Sequence, residues 1–276
     1  MNVTGRTKIT GLLGYPVEHT LSPAMHNAAF EYLGMDYCYL PFLVHPDFLG
    51  QAANAVKALN LAGVNVTVPH KETVIPFLDM VDEEAAFIGA VNTVVYREGK
   101  LHGYNTDGRG FMRSLSENNI SVEGTKILVA GAGGASRAIS YYLSEKCRAL
   151  FLYDIDKRKL DSLISELSKI RTNVSALHKL EDLNDFELII NATPLGLKKD
   201  DPLPLDVSAL SKHQVVCDLL YKKTRLLEVA SQRGCRTMDG LGMLLWQGAL
   251  AFEIWTGVLP PVQIMRNALL KNIRQP

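Results

Sequence analysis

The stretch KILVAGAGGASRA, Lys126 to Ala138, runs from an apolar, strand-like segment into a turn with three glycines and then into helical spacing. A turn this poor in side chains lets backbone N–H groups and the positive end of a helix approach a pyrophosphate. It demands a strand followed at once by a helix, which confines this part of the chain to an α/β sheet. Gly131 and Gly133 meet that need. The third glycine of G-x-G-x-x-G is replaced by Ser136, so the context has to support the pattern. That context includes a second strand-like run, ALFLYD, ending at Asp154 about 20 residues beyond the turn, where a carboxylate can bridge ribose hydroxyls. Asp154 can also cap the helix KRKLDSLISEL, although Asp156 would cap it equally well. A carboxylate at the ribose edge repels a 2′-phosphate and favours NAD over NADP. Against this, Lys157, Arg158 and Lys159 can either clamp a phosphate or form a solvated helix face.

The same alternation extends over the whole chain. KITGLL is followed by SPAMHNAAFEYL, YCYLPF by DFLGQAANAVKAL, and GVNVTV by TVIPFLDMV, each pair a β-branched run and then a segment of helical period. A polar break, SENNISVEGTK, precedes a second series with strands KILVA, ALFLYD, LIINAT and VVCDLL. The end of the chain, MLLWQGALAFEIWTG and PPVQIMRNALLKNI, is helical. The 276 residues therefore read as two α/β domains with mostly parallel sheets. Lysine plus arginine equals aspartate plus glutamate at 29 each, so no global field attracts nucleic acid or an anionic membrane. The four cysteines lack metal-ligand or CxxC spacing, and no apolar run approaches the roughly 20 residues of a bilayer span. Unpaired thiols, a cytoplasmic location and a small-molecule partner are expected.

Four segments of the N-terminal half, GYPVEHTLSPAMHNAAF, GVNVTVPHKE, GAVNTV and GYNTDGRGF, set hydroxyls, amides and charges at turns after strands. Ligands gather at such turns in open α/β sheets. Together with GAGGASRA, INATPLG and DGLGMLLWQGALAFEIWTG, they resemble the shikimate dehydrogenase family in the same order over essentially the whole chain. The resemblance implies NAD(P)-linked interconversion of 3-dehydroshikimate and shikimate, in aromatic amino acid (chorismate) biosynthesis. It implies a substrate-binding catalytic domain of residues 1–106 plus 241–276, a Rossmann-type dinucleotide domain of 107–240, and a cleft between them. The family's carboxylate-binding serine pair falls on Thr20 and Ser22. Lys71 and Asp107 match its catalytic pair, and Asn65, Thr67, Asn92, Tyr221 and Gln247 match its polar substrate contacts. Cofactor contacts are implied at Gly131, Ala132, Gly133, Gly134, Ala135, Asp154, Thr193, Leu219, Gly240 and Met243. A monomer or homodimer is expected.

Reduction of a ring ketone requires a proton for the developing alkoxide, which a lysine ammonium can supply while stabilising the charge. Lys71 is read as that acid/base, while Asp107 orients it and bonds a substrate hydroxyl. Several of these residues also have local readings. Ser22 before Pro23 is a natural helix cap, Asn92 can pin a turn, Asp107 can cap the next helix, and Gln247 can be a polar helix face. His70 reads as an exposed turn residue, and no histidine cluster has metal-ligand spacing.

Where many NADP-using members resemble Asn-Arg-Thr, this chain has Asp154, Ile155 and Asp156, which lack the arginine that would hold a 2′-phosphate. NAD-using quinate/shikimate dehydrogenases of the family carry an acid here, so quinate stands as a second substrate. A non-catalytic dinucleotide-binding regulator is the rival from another class, and retention of Lys71 and Asp107 opposes it. Glycines in GYNTDG and MDGLGM mark expected hinges.

Overall fold

The computed structural model describes residues 3–180 and 183–273. The chain divides into two compact units, one of residues 1–106 with 245–276 and the other of residues 107–244. The first unit is built on β1 (Lys8–Gly14), β2 (Tyr37–Leu43), β3 (Gly63–Val66), β4 (Met80–Val81), β5 (Thr93–Arg97) and β6 (Lys100–Tyr104), in the sheet order β2-β1-β3-β5-β6-β4. All four residues of β3 are buried, as befits a strand with neighbours on both sides. Among the described residues β2 pairs only with β1, and an edge strand of this kind tolerates Pro41.

This sheet is mostly parallel, as expected, except that β5 runs antiparallel to both β3 and β6. The cause is local. Glu98 and Gly99 both have positive φ, 53° and 78°, which closes a two-residue hairpin between β5 and β6. The segment TVIPFLDMV also departs from its helical period. It forms only a 3-10 turn at Ile75–Phe77 before β4, since Pro76 cannot donate a backbone hydrogen bond.

Helix α1 (Ser22–Tyr32) packs on α9 (Val262–Ile273), which joins the two ends of the chain in one unit. Helices α2 (Leu49–Ala58) and α3 (Glu83–Ile88) contribute Leu49, Val56 and Ala85 to a core shared with Leu13, Val64, Val66, Val94 and Leu101. Trp255 donates its indole N–H to the Val94 carbonyl at 3.0 Å, over Gly63 of β3. A Cβ on Gly63 would collide with that indole ring and with the Val94 carbonyl, so glycine there is a packing requirement. Beneath the same ring lies His26 of α1. It is fully buried, stacked on Tyr39 with centroids 4.5 Å apart, and neither ring nitrogen has a hydrogen-bond partner. Burial pushes its pKa down to about 3, so it packs as a neutral aromatic ring.

The second unit holds α4 (Asp107–Glu117), β7 (Lys126–Ala130), α5 (Gly134–Lys146), β8 (Ala149–Tyr153), α6 (Lys157–Ser168), β9 (Val174–Ala176), β10 (Leu188–Asn191), β11 (Val215–Asp218), α7 (Arg225–Gln232) and β12 (Arg236–Met238). Every strand pair is parallel, in the order β12-β11-β10-β7-β8-β9. This is the doubly wound Rossmann order, with its reversal point between β7 and β10. Helix α8 (Leu241–Thr256) begins in this unit and ends in the first. Cys38, Cys147, Cys217 and Cys235 are buried free thiols, and burial raises Cys147 to about 11. Among the described residues, no helix is long and apolar enough to cross a membrane.

Two stability experiments follow from the first unit. Gly63→Ala overpacks the Trp255 contact and is expected to cost about 1–3 kcal/mol, read by denaturant unfolding. His26 gives a pH effect. Between pH 6.5 and about 3 the unfolded chain binds a proton here that the folded chain refuses, so stability is lost as pH falls through that window. The drop from pH 7 to 4.5 is expected to be smaller by about 2 kcal/mol in His26→Leu than in the unsubstituted protein.

Candidate functional site

In the first unit, the strand ends converge on Asn65. Its amide N–H groups donate to the Asn92 carbonyl at 3.1 Å and to Thr93 Oγ1 at 3.2 Å, while its Oδ1 accepts from the Tyr39 hydroxyl at 2.9 Å. Asn92 extends the array. Its Oδ1 accepts from the Thr106 N–H at 2.8 Å and from Thr93 Oγ1 at 3.0 Å. Its Nδ2 donates to Thr106 Oγ1 at 2.9 Å and to Gln247 Oε1 at 3.4 Å. Asn65, Asn92, Thr93 and Thr106 are all buried, so the array holds its polar atoms in fixed directions away from water. Asn92 does tie down a turn, and through Gln247 it also fastens α8 to that turn.

Lys71 stands on the loop after β3. The Lys71 carbonyl accepts from the Val91 N–H at 2.8 Å, one residue before Asn92, so the lysine backbone is fixed next to the array. Thr67 donates its N–H to Leu13, and its methyl group packs where a Cβ on Gly14 would sit. His70 is buried, contrary to its reading as an exposed turn residue. Its Nε2 lies 2.8 Å from the Val44 carbonyl, which only accepts, so the proton is on Nε2 and the ring anchors the loop from below. Val68–Pro69 is a cis peptide, and the Thr67 carbonyl accepts from the His70 N–H, a tight turn that faces the ring inward.

Ser22 is not the cap of α1. The capping position is Leu21, with no side-chain cap, and the Ser22 N–H donates instead to Thr20 Oγ1 at 3.3 Å. The Ser22 hydroxyl is thus spared for other partners, and Thr20 and Ser22 form one hydroxyl pair at the start of the helix.

In the second unit, Gly131 has φ +111°, and a Cβ there would meet the Ala192 carbonyl at 2.8 Å. Helix α5 begins at Gly134 behind Gly133, which provides no side-chain cap. Its first-turn N–H groups therefore suit an anion, and the turn from Gly131 to Ala135 fits a dinucleotide pyrophosphate. Ser136 takes the third glycine's place by turning its hydroxyl back on the Gly131 carbonyl at 2.6 Å. Asp154 accepts from the Ala132 N–H at 2.7 Å and from the Asp156 N–H at 2.8 Å. The helix cap falls to Asp156, which accepts from Arg158 and Lys159. Asp154 so joins the glycine turn to the end of β8, and each oxygen keeps lone-pair capacity for a ribose hydroxyl. Beside it, Ile155 is 89% exposed.

A second polar array organises the ends of β10 and β11. Asp218 accepts from Thr224 Oγ1 at 2.7 Å, Asn191 Nδ2 at 3.1 Å and the Leu220 N–H at 3.1 Å. Burial raises its pKa, and these donors oppose the rise. Asn191 Oδ1 in turn accepts from the Thr193 N–H and hydroxyl, and the Asn191 carbonyl accepts from Leu219. Gly240 donates to the Leu220 carbonyl and lies so close to Leu219 that no Cβ fits. Thr193, Leu219 and Gly240 thus share one framework. Met243 is buried in this unit, and Tyr221 is 37% exposed. Asp107 is buried at the first position of α4.

The sequence reading missed Tyr39, Thr93, Thr106, Asn191 and Asp218. Asn191 lay within the quoted INATPLG, but its bond to Asp218 joins different strands and leaves no sequence spacing to detect.

Comparison with known proteins gives a consistent result. The family described as shikimate dehydrogenase substrate binding domain matches residues 12–94, and that described as shikimate 5′-dehydrogenase C-terminal domain matches residues 240–270. A shikimate dehydrogenase (NADP(+)) of Desulforamulus reducens is 44% identical, over 98% of this chain and 97% of that protein. A crystal structure of a shikimate dehydrogenase in complex with NADP+ superposes with a TM-score of 0.93 at 38% identity, covering 99% of this chain and 98% of the other. The Listeria monocytogenes shikimate 5-dehydrogenase in complex with shikimate and NAD has a TM-score of 0.88 at 36% identity, covering 98% of each chain. With full-length identity of this order joined to the same two-unit architecture, the chain belongs to the shikimate dehydrogenase family.

Proposed function

We propose that this protein is a shikimate dehydrogenase of the shikimate pathway that interconverts 3-dehydroshikimate and shikimate with a nicotinamide dinucleotide, NAD ahead of NADP. The observation that carries the reading is the rigid array of neutral amides and hydroxyls around the Lys71 loop, which suits a polyhydroxylated ring with one carboxylate. Thr20 and Ser22 bind the carboxylate through neutral hydroxyls at the start of α1, where the helix dipole favours negative charge. Asn65, Thr67, Asn92, Tyr221 and Gln247 hold the ring. The bound dinucleotide supplies or accepts the hydride. Lys71 gives a proton to the ketone oxygen in reduction and takes one from the hydroxyl in oxidation, while Asp107 orients it.

Gly131, Ala132, Gly133, Gly134 and Ala135 receive the pyrophosphate, Asp154 the adenosine ribose, and Thr193, Leu219, Gly240 and Met243 the rest of the dinucleotide. The preference for NAD rests on Asp154 beside the exposed Ile155. The side chains of Lys157, Arg158 and Lys159 are exposed on α6 and are the residues that would reverse that preference.

The test is a set of initial rates with shikimate and with quinate, each paired with NAD and with NADP. Shikimate with NAD is expected to lead; activity in none of the four pairings overturns the reading. Lys71→Ala is expected to lower kcat by about 10²–10⁴ with the fold retained by circular dichroism, and near-normal turnover would remove the lysine from the chemistry. Asp154→Asn is expected to shift the NADP-to-NAD ratio of kcat/KM upward by about tenfold, equivalent to ~1.4 kcal/mol. An unchanged ratio would show that the carboxylate does not select the cofactor.

A further inference from the structure

The hydrogen-bonding capacity of Asn65 can be counted atom by atom. A carboxamide carries two N–H donors and one oxygen with two lone pairs. The Asn92 carbonyl only accepts, so the Asn65 atom 3.1 Å from it is the amide nitrogen, and the atom 2.9 Å from the Tyr39 hydroxyl is the oxygen. The second N–H meets Thr93 Oγ1 at 3.2 Å. Thr93 gives its own proton to Asn92 Oδ1 at 3.0 Å, and that atom is an oxygen because the Thr106 backbone N–H donates to it at 2.8 Å. Both amides are thus oriented by main-chain groups that cannot exchange roles, a carbonyl for Asn65 and an N–H for Asn92.

Tyr39 completes the count. It lies outside every motif that pointed to the site, and it is held in place on β2. Asn27 bonds both its backbone N–H and its carbonyl, at 2.8 and 3.0 Å, and its ring stacks on His26. Its hydroxyl takes one lone pair of Asn65 Oδ1. One lone pair of that oxygen remains for a ligand, while both amide protons are in use. Turning the amide over would set its oxygen against the Asn92 carbonyl, which is itself fixed by the Val66 N–H at 2.8 Å. Asn65 is 4% exposed, and a buried amide without its partners is costly, so the array excludes the turned state.

We infer that Asn65 is a specificity-determining residue that meets a ligand only as a hydrogen-bond acceptor, with Thr93 and Tyr39 as the positioning residues that set this polarity. This rests on the shikimate dehydrogenase reading and adds to it a rule about which ring group takes which place. A ring hydroxyl can donate to the remaining lone pair of Asn65 Oδ1. A ketone oxygen only accepts, so it is repelled there. The Lys71 ammonium has the opposite character, since it only donates. A ring with one ketone and two hydroxyls is therefore oriented by polarity: its ketone is welcome at the lysine and refused at the amide oxygen, which confines reduction to one ring position.

The experiment measures initial rates of the full chain on shikimate and on analogues in which each non-reacting ring hydroxyl in turn is replaced by hydrogen or by fluorine. It compares the unsubstituted protein with Asn65→Ala, with melting curves for both. Hydrogen removes the donor; fluorine removes it and also sets an acceptor against Oδ1. In the unsubstituted protein, at one of the two ring positions, hydrogen is expected to lower kcat/KM by about tenfold and fluorine by about fivefold more. Asn65→Ala is expected to bring fluorine and hydrogen at that position within about twofold of each other. Inductive effects of fluorine on hydride transfer are common to both proteins and cancel in this comparison. Fluorine equal to or better than hydrogen at both positions, or a gap that survives in Asn65→Ala, would overturn the inference while leaving the enzyme assignment intact. An unsubstituted protein inert on shikimate would overturn the assignment and this inference with it. If Asn65→Ala does not melt cooperatively, Tyr39→Phe takes its place. There the Asn92 carbonyl and Thr93 still orient the amide, so fluorine is expected to stay below hydrogen, and a reversed order counts against the fixed polarity.

Discussion

The amide of Asn65 bonds in three directions at once, to the Asn92 carbonyl, the Thr93 hydroxyl and the Tyr39 hydroxyl. Those partners come from β2 and from the start of β5, so one side chain sets the register of strand ends that are remote in sequence. Such a bond set resists change. An unsatisfied buried amide or hydroxyl costs about 1–3 kcal/mol, so loss of any one partner is transmitted to the next. The Lys71 loop is bound to this framework through Val91, and α8 through Gln247. Precision at the site therefore comes from buried neutral groups, while the charge that would act on a substrate comes from the loop.

The second unit uses the same device with one charge. Asp218 is buried and meets three donors, and through Asn191 it fixes Thr193 and Leu219 at the two strand ends beyond the reversal point of the sheet. Asp154 does comparable work at the other side of the glycine turn. A residue read from sequence as a ribose contact is thus a bracket for the turn itself, through bonds that leave lone pairs on both oxygens.

What could be read from the sequence divides along a physical line. The α/β class and the strand-to-helix turn at Gly131 were legible because they rest on local period and on glycine's access to positive φ. The local reading of Ser22 as a cap does not hold because the helix starts one residue earlier than that rule assumes, with the capping position at Leu21. His70 was misjudged because its neighbours are polar and turn-like, whereas the tight turn after Pro69 faces it toward Val44. The antiparallel β5–β6 hairpin was hidden because Glu98 and Gly99 resemble any polar turn until their φ angles are known. Tyr39, Thr106 and Asp218 were not legible, since each matters through a partner on another strand.

The first unit is assembled from residues 1–106 and 245–276, with the second unit's residues between them. Its sheet needs Trp255 over Gly63, and α1 needs α9, so the early segment meets its closing contacts only when the last stretch of chain is available. During synthesis the middle of the protein emerges with all its partners already made, and it can complete its all-parallel sheet first. The core that α2 and α3 make with the earliest strands lies wholly within the first segment, but the place over Gly63 that Trp255 fills must wait uncovered. The edge strand β2, interrupted by Pro41, is poorly suited to pair with a stranger during that interval.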